Sequence, residues 1–159
     1  MLIPVWQRLL GILLYLIPWS DALPFGKAMF EHLPPVLFQL LLLPAVPLMI
    51  LQGVIPFGLG SLLLFLGLFL AVVRNPKIPY FLRFNTLQAL VLSILLSVLG
   101  FAFFGILGGS LGGSLIFRSL SSTVLIAALA IFIFALVECL RGREPDLPGI
   151  SQAVRMQLY

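Results

Sequence analysis

Few residues in this chain are equipped for chemistry, and they lie far apart. His32, within EHLPP, is the sole histidine and Cys139 the sole cysteine. One of each cannot build a metal site, a disulfide or a Cys-His couple, and His32 reads as an interfacial loop residue. Glu138 stands three residues before Arg141, the spacing of an ion pair on a helix surface rather than of a proton relay. Gly105 to Ser114, GILGGSLGGS, has the glycines of a phosphate loop but not its Lys and Ser or Thr, and no strand precedes it, so it reads as a flexible connection between helices. With no serine elbow, zinc-binding helix or convergent pair of carboxylates, neither an enzyme nor a cofactor or metal site is expected. What remains is uncharged hydrogen-bonding chemistry: Asn85, Gln88, Ser93 and Ser97, introduced by the cations Arg74, Lys77 and Arg83.

The elements that carry these residues are membrane helices. Of 159 residues, 62% are hydrophobic and 9% charged, against roughly a quarter charged in soluble domains. The fold class is therefore all-α: a polytopic membrane protein, a four-helix transmembrane bundle formed as one membrane domain over residues 1–159. The apolar runs predict spans at about 5–19, 55–73, 84–107 and 119–140, followed by a C-terminal tail, 141–159. Pro34, Pro35, Pro44 and Pro47 punctuate another apolar segment, 36–51. Each interior proline frees a backbone group that lipid cannot satisfy, so a proline-broken re-entrant or interfacial segment is expected between the first and second spans.

The net charge of +4 does not point to nucleic acid, because the cations stand singly or in threes beside apolar runs and serve orientation in the lipid bilayer. Arg8, Arg74, Lys77, Arg83, Arg141, Arg143 and Arg155 fall on one side, Lys27 and Arg118 on the other. A fifth span would only exchange Arg8 and Lys27. Under either count the 74–83 hinge and the tail share the cytoplasm-equivalent side, and Arg155 is a tail cation. The first run loosely imitates a cleavable signal, but Pro18 and Trp19 interrupt its apolar core. No Arg- and Ser-rich leader of the transit type is seen, which suggests a bacterial, organelle-encoded or mature chain.

On the helix beginning near Phe84, the residues Asn85, Gln88, Ala89, Ser93, Ser97 and Gly100 share one broad face with Leu92 and Leu96. Such a face either packs another helix or lines a water-accessible groove, and both readings turn it inward. Gly60, Gly67 and Ala71 suggest a packing surface on the preceding helix.

VVRNP, Val72 to Pro76 with Arg74 and Asn75, followed by RFNTLQA, with Arg83, Phe84, Asn85, Gln88 and Ala89, resembles the signature of a known family. That family is the twenty-kilodalton subunit of the translocon at the inner envelope of chloroplasts, the Tic-20 type, with its cyanobacterial relatives. YLIPWSDALPFGK, with Pro18, Asp21, Gly26 and Lys27, is similar to the family's first membrane segment. The resemblance implies four membrane helices with both termini and the 74–83 loop on the stromal or cytoplasmic side of a plastid inner envelope or cyanobacterial plasma membrane. It implies a subunit of a protein-conducting channel or its scaffold, with other translocon subunits and transiting preproteins as partners. The family commonly carries an acid four residues after the Gln-Ala pair, where this chain has Ser93. Four packed helices fill their own centre, so transport would need a homo-oligomer, other subunits or an open groove at the polar face. A small-solute or ion transporter, or a structural membrane subunit in a bacterium, is the alternative.

Overall fold

The computed structural model describes residues 3–56 and 59–158. Helices α1 (Val5–Phe30), α2 (Pro35–Val54), α3 (Leu59–Val73), α4 (Tyr80–Leu111), α5 (Leu115–Arg141) and α6 (Ile150–Leu158) follow in chain order. Of these, α1, α2, α4 and α5 are long and apolar enough to cross a bilayer, as expected of an all-α polytopic membrane protein. At 1.5 Å per residue α3 is only about 22 Å long.

Prolines set where several helices begin. Pro4, Pro34 and Pro79 occupy N-cap positions with φ near the value the pyrrolidine ring imposes, and their missing N–H groups would have no partner inside the helix anyway. Ser114 opens α5, its Oγ accepting the Phe117 N–H at 3.2 Å. Gly142 closes α5 in the left-handed conformation, φ 71°. Its N–H donates to Cys139 O and the Arg143 N–H to Glu138 O, both at 2.9 Å, which satisfies carbonyls that the helix end would otherwise orphan.

Three elements differ from expectation. The prolines of the 36–51 segment do not interrupt the helical run, because Pro44 sits in a 3₁₀ turn, Leu43–Ala45, and Pro47 in the first turn of the α-helical stretch that follows. The expected flexible connection at Gly105 to Ser114 is largely helical, since α4 runs on to Leu111 through a π-helical stretch, Phe101–Leu107, leaving a short turn before α5. The tail, for which no helix was expected, folds into α6, whose Val154 is fully buried. Its Ile150, Val154 and Leu158 pack on the neighbouring clusters because an i, i+4, i+8 apolar stripe has one face to bury.

The core lies between α1, α4 and α5. Tyr15, Phe81, Leu92 and Cys139 form one buried cluster, and Trp19, Phe25, Leu96 and Leu125 a second. Gly11 permits the close approach, since a Cβ there would stand 3.2 Å from the Phe81 ring and 3.4 Å from Cys139 Sγ. A third cluster, Val73, Phe84, Leu87, Leu90 and Val154, joins α3, α4 and α6. At one end of the bundle Arg8 ties the start of α1 to the end of α5, its Nη1 donating to Leu140 O at 3.2 Å. At the other end Ser121 Oγ donates to Phe25 O at 2.6 Å, and the Phe25 ring lies 5.1 Å from Phe104. Gly60 meets the backbone of Gln52 so closely that a Cβ would come within 2.2 Å of its carbonyl oxygen. Gly67, by contrast, has nothing within 4 Å and is exposed with Ala71, so the small-residue surface of α3 is confined to Gly60.

Candidate functional site

From Phe84 to Leu90 α4 is buried on every side, because α1 and α5 cover one face and α3 and α6 the other. Phe84, Asn85, Thr86, Gln88 and Ala89 are all 0% exposed. A primary amide in such a place must find partners within the protein, or its desolvation costs about 1–3 kcal/mol per unsatisfied group. Both amides do. Asn85 Nδ2 donates to Phe81 O at 2.7 Å, and its Oδ1 accepts from Tyr15 Oη at 3.1 Å and from Cys139 Sγ at 3.4 Å. One asparagine thereby joins α1, α4 and α5. Gln88 looks the other way, donating from Nε2 to Pro145 O at 3.1 Å. Ser151 Oγ accepts the Leu147 N–H at 2.7 Å and lies 3.1 Å from Pro145 O and 3.4 Å from Gln88 Oε1, so its single proton serves both acceptors. This network fixes the 142–149 connection and the start of α6 against α4. Thr86 Oγ1 satisfies itself on Leu82 O at 2.7 Å.

Charged groups surround this clasp at the end of the bundle that carries the 74–83 hinge. Arg83 Nε donates to Val73 O at 2.9 Å, so a guanidinium on α4 completes the carbonyl end of α3. Asn75 Oδ1 accepts the Lys77 N–H at 3.0 Å in a local side-chain turn that closes the hinge. Arg74 is exposed and shares a recess with Arg83, Gln157 and Leu158. Arg155 is no free tail cation: it reaches Glu144 at 3.7 Å and Asp146 at 3.4 Å and lies 5.5 Å above the Phe84 ring. Burial pushes the Glu144 carboxyl above the usual glutamate range, opposed in part by Arg155. Glu138 forms the i,i+3 pair with Arg141, at 3.2 Å.

The inward polar face is therefore divided. Asn85, Gln88 and Ala89 are enclosed, Ser93 is half-buried and Ser97 is exposed on the outer surface of the helix. Ser93 donates from Oγ to Asp21 Oδ2. A carboxyl group is thus present beside position 93 after all, supplied by α1 across the interface rather than by α4. From the same motif, Pro18 is buried, Gly26 is held where a Cβ would meet Phe30 at 2.5 Å and Leu125 at 2.6 Å, and Lys27 is exposed.

Beyond Ser93 the interior turns apolar. A cavity of about 170 Å³ lies between α1, α4 and α5, bounded by Pro18, Trp19, Leu92, Leu96, Ala128 and Phe132. Ser93 and Ser97 do not line it, so the four polar residues do not form a continuous wetted track. Sequence reasoning missed Tyr15, Cys139, Pro145 and Ser151 as partners of the motif. The 150–158 stripe was the one available signal, since an apolar period in a polar tail requires a surface to lie on.

A protein-family model described as "Chloroplast import apparatus Tic20-like" matches residues 4–154. A Tic20 family protein of Synechocystis sp. is 36% identical over 152 residues, which cover 96% of this chain and 92% of that protein. Two Arabidopsis thaliana proteins are also similar. Protein TIC 20-v, chloroplastic, is 33% identical over 157 residues, 96% of this chain and 71% of the relative. Protein TIC 20-II, chloroplastic, is 30% identical over 158 residues, 98% of this chain and 74% of the relative.

Proposed function

This chain belongs to the Tic20-like family of the chloroplast import apparatus, and from that premise we propose that it is a membrane subunit of a protein translocon that builds part of the wall or scaffold of a preprotein path. Its partners are other translocon subunits, further copies of itself, and preproteins in transit. The observation that carries the wall reading is the enclosure of Asn85 and Gln88, both 0% exposed and each with its side-chain oxygen and nitrogen hydrogen-bonded inside the protein. The groups that identify the family are spent on holding α1, α4, α5 and α6 together, and the cavity of about 170 Å³ beside them is apolar. An extended polypeptide, with its hydrated backbone, needs a wider and wetter route than one such bundle encloses.

The single membrane domain, in this reading, crosses four times. The start of α1, the hinge before α4 and the end of α5 lie at one end of the bundle, tied by Arg8 to Leu140 and by Arg83 to Val73. With α1, α4 and α5 each crossing once, α2 and α3 together must contribute one net crossing. Trp19 Nε1 donates to Leu41 O at 2.9 Å, halfway along α1, which supports an inclined α2 that enters the bilayer as a re-entrant or interfacial element. The short α3 then completes the passage. Both termini and the 74–83 hinge face the stroma or cytoplasm, where their cations belong.

Native isolation of the complex from its host membrane, with a preprotein arrested in transit, tests this function. Recovery of the chain with other translocon subunits and the arrested preprotein is the expected result. Recovery of the chain alone, with preprotein arrest leaving its associations unchanged, would sink the proposal.

A further inference from the structure

The far end of the bundle carries the chain's remaining cations, and they converge. Lys27, at the close of α1, and Arg118, one turn into α5, line the same recess of about 320 Å³. The Ser121 to Phe25 hydrogen bond of 2.6 Å holds the two segments together at that level. Both side chains are exposed, and among the described residues neither has an ion-pair partner. Glu31 lines the recess too, so its formal balance is two cations less one acid, a net +1. The recess continues into an apolar groove of about 740 Å³ that shares Lys27 and Glu31 and runs along Phe30, Phe38, Leu42 and Met49. A cationic mouth at a membrane surface, opening into an apolar groove, has the polarity profile of a single lipid.

We propose that this site holds one anionic phospholipid, its phosphate diester between Lys27 and Arg118 and an acyl chain along the groove between α1 and α2. A headgroup of charge −1 neutralises the recess, whereas a zwitterionic one leaves the excess cation unmatched; that is why the anionic lipid is favoured. The occupant would fill the groove between α1 and α2. This inference stands apart from the transport reading, since it rests on the far-end cations and groove alone.

Native mass spectrometry of the full chain in detergent, offered phosphatidylglycerol, phosphatidylethanolamine and phosphatidylcholine with the same acyl chains, tests it. Phosphatidylglycerol should be retained in preference to the other two. The double variant Lys27→Gln/Arg118→Gln should weaken its binding by roughly thirtyfold, the effect of two basic side chains beside an anionic lipid. Arg74→Gln/Lys77→Gln, at the opposite end, should leave binding unchanged. Leu42→Trp, which fills the groove without touching a charge, should weaken long-chain phosphatidylglycerol while sparing its dihexanoyl analogue. That second variant keeps the proposal exposed even if the double variant fails to fold. No preference for phosphatidylglycerol, insensitivity to both variants, or displacement of the lipid by millimolar inorganic phosphate would overturn it, the last by showing an anion site without a lipid. A preference for phosphatidylethanolamine abolished by Glu31→Gln would overturn it as well.

Discussion

Replacing Gln88 by leucine keeps the side chain's approximate volume and removes both of its hydrogen-bonding ends. The Pro145 carbonyl loses the Nε2 donor at 3.1 Å, and Ser151 loses one of its two acceptors. Because Ser151 Oγ also lies 3.1 Å from Pro145 O, its proton can turn wholly to that carbonyl, which keeps the cost below that of a fully orphaned group. The expected loss is about 1–2 kcal/mol, which lowers the docking equilibrium of α6 on α4 by roughly five- to thirtyfold. Amide hydrogen exchange in nanodiscs reads this directly: amides of 150–158 should exchange faster by that factor while those of α5 stay unchanged. Combining Gln88→Leu with Ser151→Ala should give less than the sum of the two single effects, because both remove parts of one network. Unchanged exchange in α6, or acceleration spread evenly over the whole chain, would refute the clasp.

Three further outcomes follow from the same geometry. Gly60→Ala drives a Cβ against the Gln52 backbone and should cost about 1–3 kcal/mol, seen as a lowered Tm in detergent, whereas Gly67→Ala, facing open space, should not lower it. Arg155→Ala should release α6 by about 0.5–1 kcal/mol, the low figure allowing for a guanidinium 41% exposed, and Arg83→Ala should instead loosen α3 from α4; exchange mapped by segment separates the two. Glu144 carries a pKa raised by burial, so its contribution to docking is fully present below the ordinary glutamate value and is lost as pH rises through the raised one. Mild acidification from neutral pH should therefore increase protection of 150–158, and Glu144→Gln should remove that dependence.

Much of the architecture could be read in the residues. Blocks of apolar sequence are enough to mark α1, α4 and α5, and Arg74, Lys77 and Arg83 the hinge, because lipid leaves the backbone few options; the segment expected to be broken is instead the long helix α2, and the expected span at 55–73 is the shorter α3. That Asn85 and Gln88 turn inward was likewise implied by their cost in an apolar setting, whereas their closure from water was one of two readings left open. Two things were hidden. Prolines at 44 and 47 argue for a break when each is counted as a lost hydrogen bond, yet a 3₁₀ turn absorbs Pro44 and a helix's first turn accepts Pro47, where a residue's N–H is not needed. Periodicity also places Ser97 on the same face as Asn85, but by that level α1 and α5 still cover Leu96 while the cluster formed with α3 and α6 has ended, and Ser97 is exposed. Burial along a long helix is set by the length of its neighbours, which the helix's own sequence does not state. Partners distant in sequence, such as Tyr15 and Pro145 for the two amides, depend on the whole bundle.

Photocrosslinking residues placed one at a time along α4, in membranes carrying an arrested preprotein, test the central claim most directly. A wall subunit with an internal clasp predicts adducts from exposed Ser97 and none from Asn85 or Gln88, which lie beneath α1, α5 and α6. Preprotein adducts at Asn85 or Gln88, with Ser97 silent, would contradict it by placing the path through the motif itself.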